Sequence, residues 1–217
     1  AHLGVYDRLL LARAWMALEA WERLEAALRT IHEVPEWLRA QRDFLVAASL
    51  ARQGRTVEAL AILDALLDSA TVPEGGKRTE TDTTTWSWAR SGPSRYEIEV
   101  WRGISLALAR KVDAARETLR AAAELDPGRP EAEYQLGLLE ARAGRPEIAT
   151  AHLKNAVAAS ERFAPAWEAW AALEMDAGQI NPALEHLGRA VTLNPRRASA
   201  HFLTAIAYAK LSRETQA

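Results

Sequence analysis

Towards the C-terminal end of the chain, apolar residues fall on paired stripes. Over 165–177, Trp167, Trp170, Ala171 and Glu174 recur at intervals of three and four, the spacing of one helical face. From about residue 181, Ala183, Leu187, Ala190 and Val191 form a second such stripe. Gly178 lies between the two, and glycine ends helices because it enters the left-handed conformation without a Cβ penalty. Asn194-Pro195 follows the second stripe, and proline neither continues a helix nor lets its predecessor do so easily. The pattern predicts a helix, a tight turn, a second helix and a stop. The same punctuation appears at Gln53-Gly54-Arg55, at Ala143-Gly144-Arg145 and at Asp126-Pro127.

These pairs repeat every 34 residues. Gly103, Gly137, Ala171 and Ala205 make one column at that spacing, and Ala115, Ala149 and Ala183 a second. Leu119, Leu153 and Leu187 make a third column, Ala122, Ala156 and Ala190 a fourth. Agreement of four columns on one period marks stacked repeats, each packing on its neighbours. The small columns have a steric reason, since antiparallel helices approach to about 8 Å only where the crossing side chains are small. Ala149 is expected to face Gly137, and Ala183 to face Ala171.

Composition changes this picture little. Hydrophobic residues at 49% suffice for a continuous core, and a net charge of −2 gives no general attraction to nucleic acid or anionic lipid. Cysteine is absent, which excludes disulfides, thiolate catalysis and cysteine metal sites. The longest apolar stretch, 44–50 interrupted by Ser49, is far short of the ~20 residues a membrane span needs. The chain opens at Ala1, so a removed leader or a piece of a longer protein is expected. Arginine outnumbers lysine 23 to 4, which points to a GC-rich bacterial genome. The compartment, cytoplasmic or periplasmic, stays open.

Catalytic chemistry is not legible. There is no phosphate-binding glycine loop, and no nucleophile, base and orienting group assemble. His152 and His186 hold the same place in adjacent repeats, which predicts helix surface, not a metal centre. Glu131 and Glu133 are expected to be a solvated first turn. No cofactor is expected, and acidic residues mixed among the basic ones argue against nucleic acid.

On these residues the chain resembles the tetratricopeptide-repeat family of 34-residue helix-turn-helix units. Trp167 matches the family's early large residue, Leu136-Gly137 its leucine-glycine, and Tyr208 its later aromatic. Ala149 and Ala183 match the alanine opening the second helix, and Pro127 and Pro195 the closing proline. Glu140 and Glu174 depart, standing where an aromatic is usual, and Glu161 replaces a proline. The resemblance implies an all-α, right-handed α-solenoid of antiparallel helix pairs. In frame, repeat units are expected at 40–73, 96–129, 130–163 and 164–197. A degenerate cap-like pair over 1–39 has Arg13 and Glu25 where small residues belong, and 198–217 is expected to be a terminal helix or truncated unit.

Ala59 and Ala115 are 56 residues apart, 22 more than one period. The surplus falls on 74–95, which is rich in threonine, serine and glycine and has no helical stripe, so a long inserted loop is expected. Trp86 and Trp88 within it pin the loop to its own repeats, anchor a partner, or sit in a merely flexible segment.

The resemblance also implies that the first helix of each unit lines a concave binding groove. One row of that groove would hold Phe44, Val100, Tyr134, Glu168 and Phe202; a second, Ala48, Ile104, Leu138, Ala172 and Ile206; a rim row, Arg52, Leu108, Arg142, Asp176 and Lys210. An apolar groove suits an amphipathic helix or an extended peptide. The basic cluster with which the chaperone-binding branch grips acidic C-terminal tails does not converge here. The expected function is a non-catalytic scaffold or assembly subunit of a larger, bacterial complex, binding a protein or peptide. The alternatives are a regulatory or substrate-docking module of a larger enzyme, and a self-associating solenoid.

Overall fold

A computed structural model describes residues 4–69 and 92–214, with side chains to residue 212. Within those residues the backbone forms eleven α-helices and no strand: α1 (Val5–Ala17), α2 (Trp21–Arg29), α3 (Arg39–Arg52), α4 (Thr56–Asp68), α5 (Arg95–Leu108), α6 (Val112–Leu125), α7 (Pro130–Arg142), α8 (Pro146–Ala159), α9 (Ala164–Asp176), α10 (Ile180–Leu193) and α11 (Ala198–Glu214). The chain divides into two compact halves, Ala1–Asp126 and Pro127–Ala217.

The turns explain the pairing. After α3, α7 and α9 the chain passes through a glycine at positive φ: Gly54 (79°), Gly144 (71°) and Gly178 (77°). The amide that follows each of these glycines then donates back to a carbonyl five residues earlier, as in Arg145 to Glu140 at 3.0 Å and Gln179 to Glu174 at 2.7 Å. After α5 the same turn closes with Arg110 at φ 61° and Lys111 donating to Leu106 at 2.9 Å. Glycine is therefore a convenience at this position, and α5 and α6 pair without it.

The small columns are contact points. A Cβ added at Gly103 would fall 2.5 Å from Cγ of Leu119, and one at Gly137 would fall 2.7 Å from Cγ of Leu153. Ala115, Ala149, Ala171 and Ala183 are all fully buried. The α5–α6 and α7–α8 hairpins are thus each held by a leucine of the second helix lying across a glycine of the first.

In the first half the core joins Leu9 and Ala12 of α1, Leu24 of α2, Phe44 and Leu45 of α3, Leu63 of α4 and Ile98 of α5. Ser94 caps α5 reciprocally: its Oγ accepts from the Glu97 amide at 3.3 Å, while Glu97 Oε2 accepts from the Ser94 amide at 3.0 Å. In the second half Met175, Ile180, Leu187 and Ala207 close the α9–α10–α11 core. The inserted segment expected at 74–95 lies mostly outside the described residues.

Candidate functional site

The first helices of the first half are α1, α3 and α5, and their expected groove row is shut. Phe44 is 0% exposed and Val100 5%. The guanidinium of Arg13 in α1 lies 5.5 Å from the Phe44 ring centroid and continues to an ion pair with Glu97 of α5. Arg13 therefore spans α3 and covers its aromatic. Phe44 and Val100, expected to line a groove, are buried instead, Phe44 within the core that joins α1, α3 and α5. Ala48, one turn along α3, is also fully buried, and Ile104 is half-buried.

Arg52 remains exposed, with its guanidinium 5.1 Å from the Trp21 ring centroid; Trp21 in turn meets Trp101 edge-on at 5.7 Å. The two residues of the first pair that stand where small residues belong both have partners outside their own hairpin. Arg13 reaches α5, and Glu25 accepts from Gln53 Nε2 at 3.0 Å and Ser49 Oγ at 3.4 Å. Arg13 at a position meant for a small residue was the available signal that this face is closed.

The corresponding row in the second half stays accessible. Tyr134 of α7 is half-buried, its ring edge-on to Phe163 at 5.4 Å. Leu138 of α7, Ala172 of α9 and Ile206 of α11 are half-buried, and Phe202 is 67% exposed. Between Tyr134 and Phe202 in the row stands Glu168, paired with Arg197. On the rim Arg142 and Asp176 are exposed, while Lys210 donates to the Met175 carbonyl at 3.2 Å. The face is mostly apolar, with its charges balanced at the margins.

The repeated histidines are less exposed than a helix surface implies, because each packs beside a carboxylate. His152 Nδ1 lies 2.7 Å from Glu133, and His186 Nδ1 lies 2.8 Å from Glu174. The partner changes because its neighbours do. Trp167 stands one period after Glu133, so His186 has an indole where His152 has a carboxylate. Glu140, one period before Glu174, pairs with Arg145 at 2.6 Å, and the residue one period after Arg145 is Gln179, which leaves Glu174 for His186. His186 also stacks on Trp170 at 4.0 Å, and Lys154 lies 5.2 Å from the same ring's centroid. Glu131 pairs with Arg129 at 3.3 Å, so the first turn of α7 is not simply solvated.

Among the described residues no group of three or more histidine, aspartate or glutamate side chains is arranged to hold a metal, and no helix is long and apolar enough to cross a membrane. Trp86 and Trp88 lie outside the described residues.

No protein-family model matches the sequence, and no curated protein is significantly similar to it. Solved structures do match in fold. The tetratricopeptide-repeat protein TTC0263 of Thermus thermophilus is 20% identical, with a TM-score of 0.70 over 94% of this chain and 99% of its own. A chain of the APC/C hetero-tetramer Cut9-Hcn1 is 14% identical with a TM-score of 0.63 over 94% of this chain and 36% of its own. YrrB, described as having an unusual peptide-binding site, is 17% identical with a TM-score of 0.52 over 91% and 90%. The 34-residue columns, the leucine-on-small-residue hairpins and these likenesses agree: the chain has the tetratricopeptide-repeat fold, an all-helical repeat of antiparallel pairs.

Proposed function

We propose that the protein is a non-catalytic interaction scaffold that binds a peptide or helix of a partner protein along the first-helix face of its second half. The observation that carries this reading is a contrast between equivalent positions: Phe44 and Val100 are buried, whereas Tyr134 is half-buried and Phe202 is exposed, with Leu138 and Ala172 of the neighbouring row half-buried beside them. Exposed apolar surface rimmed by polar groups marks interaction sites. With no strong excess of either charge at its rim, the face favours a partner with apolar anchors over an acidic tail. YrrB, of like fold, is described as having a peptide-binding site, which supports the same reading. Membership of a larger bacterial assembly is the setting we infer for it.

Selection of peptides from a displayed library against the full chain, followed by titration of the enriched sequences, tests this. The expected result is saturable binding that falls at least tenfold in Leu138→Asp and is unchanged in Arg52→Ala. Enriched peptides that bind Leu138→Asp with full affinity would place recognition elsewhere.

A further inference from the structure

The last turn of a helix leaves carbonyls without amide partners, so its C-terminal end favours cations over carboxylates. Two first helices obey this at equivalent positions: Arg52 closes α3 and Arg142 closes α7. α9 breaks the rule. Its final residue, one period after Arg142, is Asp176, and no basic residue stands in its last turn. Lys210 of α11 comes to this end of α9, yet it donates to the Met175 carbonyl at 3.2 Å. Asp176 is exposed and, among the described residues, takes part in no hydrogen bond or ion pair. The same holds for Arg142. A carboxylate thus stands against the dipole of its own helix, at a cost to the free protein that nothing in the second half offsets.

These two charges end two stripes of the candidate face. Residues 134, 138 and 142 of α7, and 168, 172 and 176 of α9, recur at four-residue steps and so follow one side of each helix. On α7 the stripe runs from Tyr134 through Leu138 to the unpaired cation. On α9 it runs from Glu168, neutralised by Arg197, through Ala172 to the unpaired carboxylate. α7 and α9 touch directly, and helices in contact lie about 8–10 Å apart. The half-buried strip of Leu138 and Ala172 is therefore edged by a cation and a carboxylate separated by about that distance.

We propose that the partner segment of this face is itself dipolar: beside its apolar anchor it presents a carboxylate to Arg142 and a cation to Asp176. The inference rests on the groove reading above and specifies its partner. Two side chains of one segment stand about 9–10 Å apart on the same side when three positions apart in an extended polyproline-like chain, or seven apart in a helix. Such a partner relieves the misplaced charge, because its cation supplies what the end of α9 lacks. It also excludes segments of a single charge sign, each of which would set like charges together at one edge.

The test uses the full chain and a displayed library of random peptides, selected in parallel against the wild type, Asp176→Arg and Arg142→Asp. Wild-type selections are expected to enrich one acidic and one basic residue three or seven positions apart. At the same spacing Asp176→Arg should enrich two acidic residues, and Arg142→Asp two basic ones. A wild-type-selected peptide should bind Asp176→Arg about three- to tenfold more weakly and recover when its basic residue is changed to glutamate, the scale of one exposed pair turned repulsive. Without peptide, Asp176→Asn should raise the melting temperature by about 1–3 °C, as removal of a charge opposed by the helix dipole implies. Peptides that lose binding in Leu138→Asp yet carry no such pair, or whose glutamate form fails to recover, would overturn this proposal and leave the groove reading standing. Peptides indifferent to Leu138→Asp would overturn both. A melting temperature that Asp176→Asn fails to raise would overturn the proposal too, because Asp176 would then be no burden on the free fold.

Discussion

The same row of positions is closed in one half of the molecule and open in the other. In the first half Arg13 leaves α1, crosses the Phe44 ring and pairs with Glu97 of α5, so the row becomes core. In the second half Glu168, which stands in the same row, pairs with Arg197, while Leu138 is half-buried and Phe202 exposed. The lesson is that equivalent positions of a repeat can be core in one unit and surface in another, according to what the neighbouring helices place over them.

Truncation should separate the halves most sharply. Phe44→Ala removes a fully buried ring and is expected to cost about 3–5 kcal/mol, while Phe202→Ala at the matching position of α11 should cost under about 0.5 kcal/mol. Urea denaturation of both variants measures this, and similar losses would break the comparison.

The next effect concerns the column beside the row. Gly103→Ala would press a Cβ onto Leu119, so overpacking by about 1–3 kcal/mol is expected, with thermal melts as the check. Removing the closure itself should matter at about the same level. Arg13→Ala takes a charged hydrogen-bonding partner from Glu97, at about 2 kcal/mol, and Arg13→Ala with Glu97→Ala together should cost less than the two single losses added. Strict additivity in that double-mutant cycle would mean the pair does not act as a clasp.

The smallest effect is a pH dependence on the closed side. Burial raises the Glu99 carboxyl above the usual carboxylate value and Asp64 adds to this, against the opposing charges of Arg102 and Arg95. A carboxyl whose folded-state pKa is raised binds its proton more tightly when folded. Its contribution to stability is therefore complete at acid pH and is lost as pH rises from the ordinary carboxylate value through the raised one. Glu99→Gln should flatten the stability profile over that window, gaining slightly on the wild type as pH rises; a profile that keeps the wild-type slope contradicts this assignment.

Much of the fold was legible because it is local. Turn glycines, closing prolines and the small-residue columns act within a hairpin, so their spacing in sequence is their spacing in space. The α5–α6 turn, made by Arg110 without glycine, was legible only through the columns on either side of it. The state of the row was much less legible, because it depends on contacts between repeats. Arg13 and Glu97 are 84 residues apart, and nothing in the period joins them. The histidines show the same limit on a smaller scale. His152 and His186 are equivalent in sequence, yet their carboxylates come from different helix positions because Trp167 and Gln179 replace Glu133 and Arg145.

The absence of cysteine from the chain permits one direct measurement of the contrast. Ala48 and Ala172 hold the same position in α3 and α9, the first fully buried and the second half-buried. Ala48→Cys and Ala172→Cys can each be reacted with a maleimide under native conditions. The cysteine at 172 is expected to label rapidly and the one at 48 only as fast as the first half opens. Equal labelling rates in the two variants would contradict a closed first-half row and an open second-half row.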